Sequence, residues 1–305
     1  MHVHIIYTGG TIGMVGSPHG LVPGADLEGW LDSLLAGTPL ARSVSVTSLT
    51  PLIDSSNATP LSWQAIVDDL RAHAAADPQT AFVILHGTDT MAYTSAALSY
   101  ALTDLSVPVV VTGSQLPLVE LGTDAAANVT GALKAATSGR LIGVALFFGH
   151  RLLAGNRVTK SSSWAFTGFE SPNAAPLATT GAPWQWAPST RGGAGWKNVS
   201  PYARHDVVVV YLVPGITAAR LEALLTPLPE AVILRAFGVG NVPSQEPGLT
   251  DVVERVIDAG TAVIVTSQCH ESEVLLGHYE AGDALARSGA VGSRDMTLEA
   301  AYAKV

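Results

Sequence analysis

The chain has 305 residues, a formal net charge of -9, and only 13% charged against 48% hydrophobic residues. That acidic balance opposes the attraction that drives binding to phosphate backbones, so nucleic acid is excluded as a partner class and a small-molecule role is expected. No apolar run approaches the roughly 18 residues of a membrane span, the first residues lack a leader pattern, and the single cysteine, Cys269, permits neither an internal disulfide nor a thiolate metal cluster; a soluble, cytoplasmic protein without membrane contact is the expectation.

Short β-rich runs at Val3 to Tyr7, Val44 to Leu49, Ala81 to Leu85, Val107 to Val111 and Leu141 to Phe148 alternate with helix-like stretches such as Ala65 to Ala76 and Tyr93 to Leu105. That rhythm predicts a parallel sheet with crossover helices. Thr59 can cap a helix whose first position is Pro60, after which Trp63, Ile66, Val67 and Leu70 recur at helical spacing. Between Gly181 and Tyr202 the period is lost in a Gly-, Pro- and Trp-rich stretch. The rhythm then resumes with Val207 to Leu212, Ala231 to Leu234 and Thr261 to Val265, separated by helical segments around Leu221 and Val253. The expected fold class is therefore α/β with two domains: a large, parallel-sheet, catalytic N-terminal domain over residues 1–180, a linker over 181–205 and a smaller α/β domain over 206–305. No fixed-period repeat or low-complexity tail is present. The sparse charge predicts a homo-oligomer, its surface covered by subunit contacts.

Four polar segments follow predicted strands: Thr8-Gly9-Gly10-Thr11, Asp54-Ser55-Ser56-Asn57, His86-Gly87-Thr88-Asp89-Thr90 and Thr112-Gly113-Ser114-Gln115. In open parallel sheets ligands bind beyond the carboxyl ends of the strands, so these loops are expected to converge on one crevice. The hydroxyls of Thr8, Thr11, Ser55, Ser56, Thr88 and Thr90 can hydrogen-bond a small polar ligand, and Asp89 suits an ammonium group; an amino acid fits. Blandly read, the first segment is a tight turn that needs glycine. It lacks the spacing of a dinucleotide or phosphate loop. His86 reads as a buried, satisfied histidine rather than a catalytic one.

Amide hydrolysis needs an oxygen nucleophile, a base and donors facing the oxyanion. No G-x-S-x-G elbow occurs, and the nine histidines show no zinc-ligand spacing. A lysine can replace histidine as base when hydroxyls and a carboxylate surround it. Lys160, in Gly155-Asn156-Arg157-Val158-Thr159-Lys160, is the candidate, although taken alone it reads as a solvated lysine.

Nearly end to end, these segments resemble the bacterial-type asparaginase/glutaminase family, and within it the cytosolic type I branch. The carriers are Tyr7 to Met14, Ile53 to Ser56, His86 to Met91, Val111 to Gln115, Gly155 to Arg157 with Lys160, and Gly238-Val239-Gly240-Asn241. The resemblance implies hydrolysis of L-asparagine to L-aspartate and ammonia with no metal or organic cofactor. Thr11 would attack the amide carbon, while Thr88, Lys160 and Asp89 form a second relay. Ser55, Ser56, Thr88 and Asp89 would hold the substrate, Asn241 and Glu273 would reach a neighbouring subunit's site in a dimer or dimer of dimers, and Thr159, Arg235 and Cys269 match an effector site. Glu273 equally reads as a solvated helix-start charge, and Cys269 as a small buried hydrophobe. The chain departs from the pattern at Leu21, where relatives carry a lid tyrosine, and it stops at Val305, within the expected last helix. The runner-up readings are a relaxed glutaminase or amidase, an amidotransferase subunit acting on glutamyl-tRNA, which the acidic charge disfavours, and a catalytically weak amino-acid sensor, which Leu21 favours.

Overall fold

In the computed structural model, residues 2–188, 199–277 and 280–305 are described. Two compact units are present, residues Met1–Ala203 and Arg204–Val305. The first runs β1 (Val3–Tyr7), β2 (Met14–Ser17), β3 (Gly20–Pro23), α1 (Leu27–Leu35), β4 (Val44–Ser48), α2 (Pro60–Ala76), β5 (Ala81–Leu85), α3 (Met91–Ala101), β6 (Pro108–Thr112), α4 (Ala125–Ala136), β7 (Gly143–Phe148), β8 (Arg151–Ala154), β9 (Thr159–Lys160), β10 (Phe169–Glu170), β11 (Ala178–Thr179) and β12 (Gln185–Trp186). An eight-stranded sheet in the order β12-β11-β8-β7-β6-β5-β1-β4 forms its spine, parallel from β4 through β7. Beyond β7 the pairing turns antiparallel at β8, β11 and β12, an edge that the sequence rhythm did not foretell.

Every residue of β1, β5 and β6 is buried, as expected of strands covered on both faces. Successive side chains alternate sides. Ile5 and Tyr7 join a core layer with Leu27, Leu31, Val129 and Leu133, so α1 and α4 cover that face. Ile6 and Ile84 join Ile66, Leu70 and Leu98 on the other, beneath α2 and α3. The Thr59 capping box and Pro60 at the first turn start α2 as the sequence predicts. Of the stretch expected to link two domains, Gln185–Trp186 is a strand of the large sheet, and residues 189–198 lie outside the described residues.

The second unit holds β13 (Val207–Tyr211), α5 (Ala218–Leu224), β14 (Ala231–Ala236), α6 (Leu249–Asp258), β15 (Ala262–Ser267), α7 (Glu280–Arg287), β16 (Val291–Gly292) and α8 (Leu298–Lys304). Its four strands pair in parallel in chain order. The fold is thus two-domain α/β with mainly parallel sheets. Among the described residues no helix is long and apolar enough to cross a membrane.

Candidate active site

In the large sheet β1 has β4 on one side and β5 on the other, so its carboxyl end is a point where the chain's winding reverses and a crevice opens. The loops there are knit backbone to backbone. Gly9 and Gly10 have φ values of 119° and 97°, in the region that glycine alone enters freely. A Cβ on Gly9 would strike the Ile53 carbonyl, one on Gly10 the backbone of Gly87, one on Gly87 the Ser55 hydroxyl, and one on Gly113 the carbonyl of His86. The glycines are therefore a packing requirement that brings the four polar segments together. Hydrogen bonds add to it: Thr8 N and Thr8 Oγ1 both donate to the Leu85 carbonyl at 2.9 and 3.0 Å, and Ile53 N donates to Thr8 O at 2.7 Å.

Those bonds also sort the six hydroxyls. Thr8 is committed to Leu85, and Thr90 Oγ1 donates to Ser55 O at 2.8 Å; both serve the frame rather than a ligand, contrary to the sequence expectation. Ser55 is buried and Ser56 exposed in a short 3-10 turn whose preceding residue, Asp54, accepts from Ser56 N at 3.1 Å.

Lys160 is the hub of the next cluster. Its Nζ donates to Thr88 Oγ1 at 2.9 Å and to Asp89 Oδ1 at 2.8 Å. The Lys160 side chain is 18% exposed and that of Asp89 63%, so the ion pair faces the crevice while Thr88 lies buried behind it. β9, which carries Lys160, is a two-residue strand that pairs with β10, away from the main sheet. Thr88 Oγ1 also lies 3.5 Å from Gln115 Oε1, and Gln115 Nε2 donates to Ala165 O at 3.1 Å. A hydroxyl held by an ammonium, which a carboxylate holds in turn, is an arrangement able to move a proton.

Thr11 differs. It begins a 3-10 turn, Thr11–Gly13, is partly exposed, and its hydroxyl has no hydrogen-bond partner among the described residues. The segment after it is the antiparallel ribbon β2–β3, in which Gly16 pairs with Leu21 and Ser17 with Gly20. Only Gly20 has positive φ, at 110°. Leu21 is 49% exposed on this ribbon.

Comparison with known proteins matches this architecture. Residues 2–190 match the profile of the asparaginase N-terminal domain and residues 206–305 that of the glutaminase/asparaginase C-terminal domain. The chain is 41% identical to L-asparaginase 1 of Escherichia coli over 99% of its own length and 90% of that protein. The chain belongs to the asparaginase family. Its fold superposes on the crystal structure of L-asparaginase I from Vibrio cholerae with a TM-score of 0.87, at 39% identity over 99% of this chain and 91% of that one. The L-asparaginase of Thermococcus kodakarensis superposes with the same TM-score, 0.87, at 29% identity over 100% and 91%. This asparaginase-family chain is thereby an amidohydrolase.

Two supports of the site escaped the sequence reading. Asp124 is buried ahead of α4 and accepts from Gln115 N at 3.0 Å and Leu116 N at 3.1 Å, and from Asn128 Nδ2 at 3.0 Å. Asn128 in turn donates to Gly113 O at 2.9 Å and accepts from Gly149 N at 3.2 Å. This pair fixes the β6 loop that carries Gln115. The only sequence signal was an acid and an amide four residues apart, a spacing shared with many solvated helices. His86 is the satisfied histidine expected: its Nδ1 lies 2.7 Å from Gly87 O and its Nε2 3.0 Å from Thr94 Oγ1, and burial lowers its pKa, so it stays neutral.

In the second unit, Arg235 lies at the end of β14 with its guanidinium 5.5 Å from the Tyr211 ring centre, and its buried Nε has no hydrogen-bond partner. Cys269 is exposed rather than a buried hydrophobe. Asn241 pairs backbone to backbone with Phe237, and its Oδ1 is buried without a partner. Glu273 is an exposed acid 3.8 Å from Arg294 Nη1. Thr159 precedes Lys160 on β9 in the first unit.

Proposed function

We propose that the protein hydrolyses the side-chain amide of L-asparagine, releasing L-aspartate and ammonia, with Thr11 as nucleophile. The observation that carries this reading is Lys160 Nζ bonded at once to Thr88 and Asp89, on a loop packed through Gly10 and Gly87 against the loop of Thr11. In the first half-reaction the Thr11 oxygen bonds to the amide carbon, the hydroxyl proton is passed to the amide nitrogen, and ammonia leaves with the C–N electron pair. In the second, water attacks the resulting ester, its proton is taken through Thr88 and Lys160, and Thr11 leaves reprotonated. Ser55, Ser56 and Asp89 hold the substrate's carboxylate and ammonium.

The relatives named L-asparaginase support the choice of asparagine. One methylene in a pocket is worth only about 1–3 kcal/mol, so glutamine is the informative competitor. Ammonia release should be clearly faster from asparagine than from glutamine, and the reverse order would overturn the assignment. Binding of asparagine, seen as a thermal shift, with no ammonia formed would make the protein a sensor instead.

The same reading has the protein working in the cytoplasm as a dimer or dimer of dimers, with Asn241 and Glu273 reaching a neighbour's site and Thr159, Arg235 and Cys269 taking an effector. The sparse charge and exposed Trp164 and Leu121 support subunit association. Light scattering that finds an active monomer, or a hyperbolic asparagine curve unchanged by Arg235→Ala, would remove the respective parts.

A further inference from the structure

Away from the crevice, two histidines and a carboxylate meet between the sheet and α2. His4 on β1 is 2% exposed, while Asp69 and His73, one helical turn apart on α2, are 26% and 36% exposed. His4 Nε2 and His73 Nδ1 each lie 3.7 Å from the same oxygen, Asp69 Oδ2; His73 Nδ1 also donates to the Asp69 backbone carbonyl at 2.9 Å, a bond that must open before this nitrogen can bind an ion. Each residue offers one ligand atom such that all three lie within 4.8 Å of one another. For comparison, bonds of about 2.0–2.2 Å hold neighbouring ligands of a tetrahedral ion about 3.4 Å apart.

The surroundings orient these donors. His4 Nδ1 lies 2.7 Å from Ser45 Oγ, which lies 2.8 Å from His2 Nε2. An Nδ1–H donating to Ser45, with Ser45 donating to His2, leaves the Nε2 lone pair of His4 pointing towards Asp69. This is the outer hydrogen bond that metal-ligating histidines commonly make. Thr47 Oγ1 lies 3.0 Å from His4 Nε2 and 3.5 Å from Asp69 Oδ2, so its hydroxyl can turn to the carboxylate when Nε2 takes another partner. Among the described residues no lysine or arginine pairs with Asp69.

We propose that His4, Asp69 and His73 form a binding site for a divalent transition metal ion of the zinc type, joining β1 to α2. Two imidazoles and one carboxylate suit such ions, whereas magnesium and calcium prefer oxygen ligands alone. His4 and His73 are stacked, with ring centres 3.7 Å apart and planes 18° apart. Two nearly parallel rings cannot both contain one ion in their planes, so binding swings the more exposed His73 ring out of the stack. The site has no part in amide hydrolysis: β1 carries Thr8 to Thr11 at its opposite end.

The test uses the full chain, zinc chloride and magnesium chloride, at pH 7.5. At about a hundredfold excess over a micromolar Kd, zinc should raise the melting temperature by about 5 °C. Magnesium should not. Asp69→Asn and His73→Asn, both on the accessible side of α2, should each remove most of that rise and weaken zinc binding in calorimetry by at least about tenfold. Their ammonia release in the absence of zinc should match the unsubstituted protein. An equal zinc shift in the unsubstituted protein and both variants would assign the ion to other histidines and overturn the proposal, as would no zinc shift at all.

Discussion

The two threonine loops of the crevice are built to different standards of order. Thr88 is buried, its hydroxyl bonded to Lys160, with Asp89 and Gln115 completing the cluster; its own loop is anchored by His86, and the neighbouring β6 loop that carries Gln115 by the Asp124–Asn128 pair. Thr11 sits in a single 3-10 turn next to an exposed β-ribbon, without a partner for its hydroxyl among the described residues. The difference teaches that the proton-handling half of the proposed mechanism is preorganised by the sheet, whereas the attacking half depends on substrate and on what the ribbon supplies.

The widest test of that contrast is removal of each part. Thr88→Ala, Lys160→Met and Thr11→Ala should each lower kcat on the order of a thousandfold or more with the fold intact by circular dichroism. Because residues that act as a unit are not additive, Thr11→Ala/Thr88→Ala should be scarcely worse than the worse single variant. Multiplying losses would show that the two loops work independently.

Acidity should act on two buried histidines, His86 in the ordered loop and His4 at the far end of β1. His86 has a lowered pKa through burial, and His4 is lowered to about 4 by burial and by His73. The sign follows from linkage: below the ordinary histidine value of about 6.5 the unfolded chain takes up protons that the folded chain refuses, so stability falls with pH. For His4 that fall runs from about pH 6.5 down to about 4. Urea unfolding at pH 7.5, 6 and 4.5 should trace it, with a shallower slope in His4→Gln and in His86→Gln. Equal slopes in all three proteins would separate the pH response from these two groups.

A smaller effect is expected at Asp124. Asp124→Asn keeps the shape but replaces an ionised acceptor of backbone N–H groups, so the β6 loop and Gln115 should loosen. A loss in kcat of about tenfold, with KM little changed, would identify Asp124 as a positioning residue, since hydrogen bonds to charged groups are worth about 1.5–3 kcal/mol. A lowered urea midpoint with unchanged kcat would make its role purely structural.

How far the sequence discloses this arrangement depends on burial. Ala81 to Leu85 is a continuous apolar run, and Val3 to Tyr7 one interrupted only by His4, because both faces are covered, so their type and bounds are legible. The β2–β3 ribbon is not, because β2 is largely half-buried and β3 exposed, and backbone pairing organises it. α4 is hidden for another reason: Gly131 and its run of alanines fit beneath Phe147, and small residues leave little periodicity. Lys160 sits on a two-residue strand, too short for any pattern, and is legible through family resemblance rather than local signal. Asp124 and Asn128 owe their meaning to a loop eight to fifteen residues away in sequence, contacts that no local window contains.

The finest adjustment concerns Leu21. The family resemblance leads to the expectation of a phenol here, which can donate to or accept from a neighbouring hydroxyl; leucine does neither. In this chain Leu21 lies on the exposed ribbon opposite Gly16, so in the proposed mechanism the Thr11 proton leaves by water or through the Thr88 and Lys160 relay. In that proposal the ribbon excludes bulk water when substrate is bound, which strengthens the electrostatics of the crevice without joining the proton path. Leu21→Tyr should raise kcat a few-fold with little change in KM, since the new hydroxyl would act on the chemical step rather than on binding. His19 is exposed at the ribbon tip, where its backbone N–H, which alanine would keep, donates to Ser17 Oγ at 3.2 Å; His19→Ala should therefore be nearly silent. Stopped-flow and steady-state assays on these two variants weigh the alternatives. A large loss in His19→Ala would move the base to the ribbon, and no gain in Leu21→Tyr would mean that activation of Thr11 is already complete within the loops of β1 and β5.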